Sequence, residues 1–206
     1  MSEPDRGISD AFNKGIAVST GEIIGIINAD DWYNHNAVEI VVREYLQHGK
    51  RIYHAKLQYW TPDIKPYYVF SGNDKNILIK GTINHPSVFV PKKIYEEIGL
   101  FNTDFKNAMD YEWFIRAKLK GMKFYYIDKV ISNMRLAGKS DKKWLNNYIE
   151  IFKARDLNGM NLVKNSLFFF NMVIVTVCRK VLEFVGLNFI VRIYRKHFSA
   201  AKKEVI

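Results

Sequence analysis

Glu22-Ile23-Ile24-Gly25-Ile26-Ile27-Asn28-Ala29-Asp30-Asp31 is the stretch on which the reading of this chain turns. The apolar run is short, rich in β-branched isoleucine and bounded by polar residues, the pattern of a buried strand over residues 22–28. Two adjacent carboxylates then stand where that strand ends. In open α/β sheets ligands bind beyond the carboxyl ends of strands. Neighbouring acids repel each other unless a cation or a helix N-terminus compensates them. A divalent metal carrying a phosphate ligand does so; so does a simpler arrangement in which Asp31 caps a following helix and Asp30 is solvated. Asn28-Ala29-Asp30-Asp31 alone leave both readings open.

Outward from the acids, Ala37, Val38, Val41, Val42, Tyr45 and Leu46 recur at helical spacing, with Gly49 where a helix C-terminus needs it. Residues 7–17 read as a short helix before the strand. Residues 51–60 alternate as a second strand, and residues 61–76 form a loop rich in Pro, Gly, Asn and Asp, a common carrier of binding groups. His85-Pro86 precedes a short strand at 87–90, and Pro91 opens a helix at 92–98 that Gly99 ends. Asp110 stands at the expected N-cap of a helix running to about residue 120. Residues 124–127 and 130–134 read as two short strands, and from residue 142 the pattern is helical to the end. Strands alternating with helices give an α/β fold.

The 206 residues, 48% hydrophobic, suffice for one full core and an appendage. The single cysteine, Cys178, excludes an intramolecular disulfide framework and a cysteine-based zinc site, and a reducing compartment is the simpler reading. The opening Met-Ser-Glu-Pro-Asp-Arg-Gly has neither the apolar core of a secretory signal nor the character of a transit peptide, so a cytoplasmic location is expected. A formal charge of +10 implies an anionic partner. Nucleic acid is the weakest choice, because the basic residues form neither a recognition helix nor an aromatic single-strand platform. Between Lys164 and Arg179 lies an uncharged stretch that falls short of the roughly 20 apolar residues needed to span a bilayer. Residues 185–190 are again apolar and are followed by Arg192, Arg195, Lys196, Lys202 and Lys203. That composition fits helices lying in an anionic membrane interface, and equally a helical pair packed on the core or on another subunit.

Three groups of polar residues are candidates for chemistry: residues 2–15, which include Asn13 and Lys14 beside a helix; the acidic loop; and Met109-Asp110-Tyr111-Glu112-Trp113-Phe114-Ile115-Arg116. Residues two apart on a helix face different ways, so Asp110 and Glu112 do not both reach one site. Glu112 and Arg116, four apart, are placed to pair, which leaves Asp110 as the better general base, with a plain helix cap as its bland alternative. For Asn13 and Lys14 the alternative to phosphate binding is ordinary helix capping, and for His85 it is the polar end of a loop before proline.

Ser-Glu-Pro-Asp-Arg-Gly-Ile-Ser-Asp-Ala-Phe-Asn-Lys-Gly from residue 2, then Thr20-Gly21-Glu22-Ile23-Ile24-Gly25 leading into Asn-Ala-Asp-Asp, resembles the family-2 glycosyltransferases of the GT-A fold. His85-Pro86-Ser87-Val88-Phe89, Gly99-Leu100-Phe101-Asn102, Ala108-Met109-Asp110-Tyr111-Glu112 and Arg135-Leu136-Ala137-Gly138-Lys139-Ser140 follow in that family's order over roughly the first 140 residues. The resemblance implies a nucleotide-sugar donor, a divalent cation (Mg2+ or Mn2+), a glycan or lipid-linked hydroxyl acceptor, and inversion at the anomeric carbon. Under it, Asp30 matches the metal-binding acid of the family's Asp-X-Asp motif, with Asn28 in place of the first aspartate and Asp31 beside it. Asp110 matches the catalytic base. His85 and Arg135 match positions near the acceptor or diphosphate, and Asn13, Lys14 and Glu112 join that set.

The family begins with two or three strand-helix units that precede the point where this chain starts. The resemblance therefore implies a truncated Rossmann-like sheet with flanking helices over residues 1–140 and a helical extension over residues 141–206. Unpaired apolar edges are expected, and with them association with a second copy or a complementing chain. The expected setting is surface polysaccharide or lipid-linked glycan synthesis at the inner membrane face, with the enzyme peripheral. The alternative is a non-catalytic remnant that binds a membrane or a partner.

Overall fold

The computed structural model describes residues 3–79, 83–136, 144–187, 189–190 and 202–205. The order is α1 (Ile8–Val18), β1 (Ile23–Gly25), β2 (Trp32–Tyr33), α2 (Ala37–His48), β3 (Ile52–Trp60), β4 (Pro66–Ser71), β5 (Val88–Pro91), α3 (Lys92–Ile98), α4 (Met109–Leu119), β6 (Phe124–Arg135), α5 (Trp144–Leu157), α6 (Leu162–Phe184) and β7 (Lys202–Val205).

The centre of the seven-stranded sheet is β3, whose β-branched and aromatic residues suit a strand buried on both faces. One edge of β3 pairs in parallel with β6 from Ile52↔Phe124 to Trp60↔Arg135. The other edge is shared: β5 pairs with Tyr53 and His54, and β4 takes over from Leu57 to Trp60, both antiparallel. β1 adds antiparallel to β5, and β2 to β6. It follows that β1, β3 and β6 run the same way. Their carboxyl ends share one edge of the sheet, and the His85–Ser87 turn enters β5 at that same edge.

Alternation along the strands builds two cores. Ile52, Val88 and Val90 pack with residues of α3, α4 and α5, whereas their neighbours Tyr53 and Phe89 pack with Ala37, Ile40 and Val41 of α2. Trp113 of α4 and Ala154 of α5 are completely buried in the first core.

The structure corrects five expectations. The first strand is Ile23–Gly25 alone, because residues 26–31 leave the ladder and close a turn in which the Asp31 N–H donates to the Asn28 carbonyl at 3.1 Å. The loop at residues 61–76 contains β4; Pro66 opens that strand, a position where proline is tolerated, and the aromatic and β-branched residues behind it pair with β3. The two strands expected over residues 124–134 are one strand, β6, whose register against β3 shifts at Lys56, with Asp128 and Lys129 exposed.

The fourth correction concerns Asp110. Ala108 is the N-cap of α4 and Asp110 lies inside the first turn. Glu150 of α5 accepts the backbone N–H groups of Lys106, Asn107 and Ala108 at 2.7–3.0 Å and so fixes the turn that leads into α4, while Asp110 accepts the first-turn N–H of Tyr111. Fifth, the C-terminal part is not helical throughout, because Lys202–Val205 pairs antiparallel with the free edge of β4. Arg192, Arg195, Lys196 and the Ala137-Gly138-Lys139-Ser140 segment lie outside the described residues.

Candidate active site

The acidic loop hangs between β1 and β2 and is tied to the end of β6. Asn28 donates its amide to Asp31 Oδ2 at 2.8 Å, and the Arg135 backbone N–H reaches Asp31 Oδ1 at 3.3 Å. Burial raises the Asp31 carboxyl above the usual range, against the pull of these two donors. Both of its oxygens are thus engaged in holding the loop. Asp30, by contrast, is exposed, and its carboxylate has no hydrogen-bond partner among the described residues.

Among the described residues no cluster of three or more His, Cys, Asp or Glu side chains is placed to hold a metal alone. The donor set nonetheless fits a hard cation of the magnesium type, which is held by one or two carboxylates and completed by substrate phosphates and water. Asp30 supplies a free carboxylate and Asn28 a neutral oxygen whose amide nitrogen is already committed.

Around this loop lies a polar and aromatic frame. Trp32 and Trp60 stand 5.4 Å apart between ring centres, and Trp60 Nε1 donates to Asn133 Oδ1 at 2.8 Å. Asn133 in turn donates to Asn34 Oδ1, and Asn34 to the Val130 carbonyl, so β2 is locked against β6. Arg135, whose main-chain N–H meets Asp31, keeps a buried Nε with no hydrogen-bond partner among the described residues.

Asp110 lines a cavity of about 310 Å³ with Asn84, Asn107, Tyr111 and Asn147. Its carboxylate accepts the Tyr111 N–H at 2.7 Å. Burial nonetheless dominates and pushes Asp110 up to about 6. The cavity and the acidic loop are linked side chain to side chain: Asn84 donates to the Tyr59 hydroxyl at 2.7 Å, and Tyr59, at the carboxyl end of β3, lies within electrostatic range of Asp31. The two acids that distant segments supply therefore face one edge of the sheet.

His85 is 8% exposed, stacks on Phe12 of α1 at 4.9 Å, and leaves Nε2 buried without a partner. Burial lowers it to about 4, so it is neutral at pH 7. The remaining predicted residues have structural partners. Asn13 clamps Phe101 from both ends of its amide, donating to the carbonyl at 2.8 Å and accepting the N–H at 2.9 Å. Lys14 pairs with Glu3 and Asp10 on the surface of α1. Glu112 is 2% exposed and bound by Arg116.

Tyr59, Asn84, Trp32 and Trp60 were not singled out by the sequence. Their only prior signal was position: Tyr59 and Trp60 end a readable strand, where open sheets place ligands, and Asn84 adjoins His85.

A sequence model described as "Glycosyl transferase family 2" matches residues 1–116. A chondroitin synthase of Pasteurella multocida (strain Pm70) is 27% identical over 142 residues, 67% of this chain and 15% of that protein, so the chain spans a small part of that relative's length. Among solved structures, TarS 1-349 of S. aureus in complex with UDP-GlcNAc superposes with a TM-score of 0.56 at 12% identity, covering 94% of this chain and 57% of that one. A mannosyltransferase from Pyrobaculum calidifontis in complex with GDP-Man and Mn2+ gives 0.51 at 12% identity, covering 93% and 61%. At these identities the likeness is one of fold, and the fold is GT-A.

Proposed function

The chain belongs to glycosyl transferase family 2, and from that membership and the geometry of its site we propose that it transfers a sugar from a nucleotide-sugar donor to a hydroxyl acceptor, with inversion. The observation that carries this reading is the pairing of a free, exposed carboxylate on the acidic loop with a half-buried, elevated carboxyl at Asp110, both on the edge where β1, β3 and β6 end.

In the proposed reaction Asp30, with Asn28 beside it, holds a divalent cation, and Asp31 keeps the loop in place from behind. Bound there, Mg2+ or Mn2+ would offset negative charge on the departing nucleoside diphosphate. Arg135 adds a fixed positive charge at the same place. Asp110, ionised at neutral pH, accepts the acceptor's hydroxyl proton from within its cavity while the oxygen attacks the sugar face opposite the leaving group. Neutral His85 has an unpartnered ring nitrogen for a polar atom of donor or acceptor.

The proposed acceptor is a growing surface polysaccharide or a lipid-linked glycan. No described helix is long and apolar enough to cross a membrane. Exposed Leu167, Phe170, Ile174 and Val181 on α6, together with Lys164 and Lys180, support peripheral contact with an anionic leaflet.

The test is donor binding by titration calorimetry, with UDP-GlcNAc and GDP-mannose as probes, with and without Mn2+. Binding is expected only with the metal, and Asp30→Ala is expected to weaken it about 100-fold or more, the loss of a principal charged ligand. Binding that ignores both chelator and Asp30→Ala would remove the acidic loop as the metal site. Absence of donor binding, with attachment to anionic vesicles retained, would favour the non-catalytic remnant.

A further inference from the structure

The inward face of α5 is polar where a structural helix is apolar. Asn147, Glu150, Ile151, Ala154, Arg155 and Asn158 recur at intervals of three and four residues and so share one side of the helix. Ala154 is completely buried and Arg155 is 5% exposed, which fixes that side toward the protein. Polar groups turned inward cost free energy unless they are bonded. Glu150 holds the turn before α4, and Asn158 reaches Glu112 at 3.4 Å. Arg155 spends its guanidinium on Asn165 Oδ1, the Leu78 and Ile79 carbonyls and the Tyr111 hydroxyl. Asn147 is the exception: its side chain is bonded to no other described residue, and it lines the Asp110 cavity.

Two more carboxamides line the same cavity. Asn84 donates to the Tyr59 hydroxyl and Asn107 to Glu150 Oε1, both at 2.7 Å. Each keeps a side-chain carbonyl oxygen that no described donor meets. Asn147 retains both an acceptor oxygen and a donor nitrogen. Among the described lining residues Asp110 carries the one charge, and the Arg155 guanidinium behind Tyr111 is already committed. At about 310 Å³ the space has the size of a small-ligand site and takes one sugar ring.

We propose that this cavity is a subsite for an uncharged terminal sugar of the acceptor, and that Asn147 selects its hydroxyl pattern by bonding a hydroxyl beside the one that Asp110 deprotonates. The inference rests on the reading of Asp110 as the base. Adjacent ring hydroxyls both donate and accept, as three carboxamides around one carboxylate require. A carboxylate or phosphate on the ring brings a second negative charge next to ionised Asp110, with no free cation among the described lining residues to offset it. An apolar ligand leaves the carboxamides desolvated and unbonded. The family match ends at residue 116, before α5 begins, so it covers the base and not this wall of its cavity.

The test uses the full chain and four probes, the methyl glycosides of glucose, galactose, N-acetylglucosamine and glucuronic acid, with binding followed by NMR titration at pH 7. At least one uncharged glycoside is expected to shift the Asn147 side-chain amide and to bind about tenfold or more tightly than the glucuronide. Asn147→Ala, at a half-exposed position, is expected to leave Tm unchanged and to weaken the preferred glycoside about tenfold or more. Among the monodeoxy forms of that glycoside, one is expected to bind the native chain about tenfold less tightly, yet to bind the Ala variant as tightly as the parent sugar does. The proposal is overturned if no uncharged probe binds, if the glucuronide binds as tightly, or if Asn147→Ala leaves every affinity unchanged. Glycoside binding as expected, with transfer undiminished in Asp110→Asn, removes the base and keeps the subsite. Unchanged glycoside affinity in Asn147→Ala, with transfer lost in Asp110→Asn, keeps the base and removes the subsite.

Discussion

Asp110→Asn is expected to lower sugar transfer by about 10²–10⁴-fold, the usual contribution of a positioned general base, and to raise Tm at the same time. The first effect follows from losing the one carboxylate among the described residues that line the cavity, ionised at neutral pH and poised near it. Donor affinity is expected to stay within about twofold, because Asp30 and Asn28 are untouched; a shift that small is worth under 0.5 kcal/mol. In the unmodified chain, transfer is expected to rise with pH through about 6, as Asp110 loses its proton. The residual activity of the Asn variant is expected to lack that acid limb.

The second effect follows from the sign of the shift. A carboxyl whose folded pKa lies above its unfolded value contributes stability that is fully present below the unfolded value, near 3.8, and is lost as pH rises through about 6. At pH 7 the ionised Asp110 therefore destabilises the fold. A shift of about two units corresponds to roughly 3 kcal/mol, reduced to about 1–2 kcal/mol because the side chain is only partly enclosed and water reaches it. Asn should regain that amount at pH 7, about 2–8 °C in Tm for a chain of this size, and regain nothing near pH 4. Undiminished transfer removes Asp110 as the base. Lost transfer with a lowered Tm assigns the carboxylate to the framework of α4.

Local signals carried much of this fold. Helical periodicity and glycine stops placed α2 and α3 within two residues, because capping and amphipathicity are written over short windows. What escaped depended on pairing between strands rather than on a pattern within one segment. β4 lies in a stretch whose Pro, Gly, Asn and Asp content reads as loop, and only the edge of β3 makes it a strand. A two-residue β2 has no periodicity to detect, and exists because Trp32 and Tyr33 meet Asn133 and Ser132 of β6. β7 likewise depends on the open side of β4.

The site shows the same division. The acids of the loop and Asp110 were legible as residue types, but their convergence depends on β1, β3 and β6 ending together. Asp110 reads as a helix cap in sequence because an acid preceding a helix ordinarily serves that end. Glu150 of α5 instead fixes the turn before the helix, and Asp110, inside the first turn, lines the cavity while still accepting the Tyr111 N–H. Asn13 has the opposite history: a polar residue beside a motif, it spends both ends of its amide on Phe101.

Glu112 is the residue whose two readings, site carboxylate or helix-pair partner, separate most sharply by measurement. Arg116→Ala is expected to cost about 3–5 kcal/mol, the penalty for stranding one member of a buried ion pair. Arg116 meets Glu112 through two parallel bonds of 3.0 Å and also donates to the Ile98 and Leu100 carbonyls at 2.9 and 2.8 Å. It thereby closes the end of α3, where Gly99, at φ +96°, exposes backbone oxygens to it, and where Trp113 Nε1 takes the Gly99 carbonyl at 2.8 Å. Without the guanidinium, Glu112 keeps among the described residues only the Asn158 amide at 3.4 Å, the Leu100 carbonyl loses its donor and the Ile98 carbonyl keeps only the distant Lys120 ammonium at 3.4 Å. Arg116→Lys should recover only part of the loss, since one ammonium cannot reproduce a planar fork serving a carboxylate and two carbonyls. Pairing Arg116→Ala with Glu112→Gln removes the stranded charge, so the double variant is expected to be more stable than the sum of the single changes by about 1–3 kcal/mol in urea titration. Additive losses, or a cost below about 1 kcal/mol for Arg116→Ala, would mean that Glu112 is solvated in the native chain and free to serve the site beside Asp110.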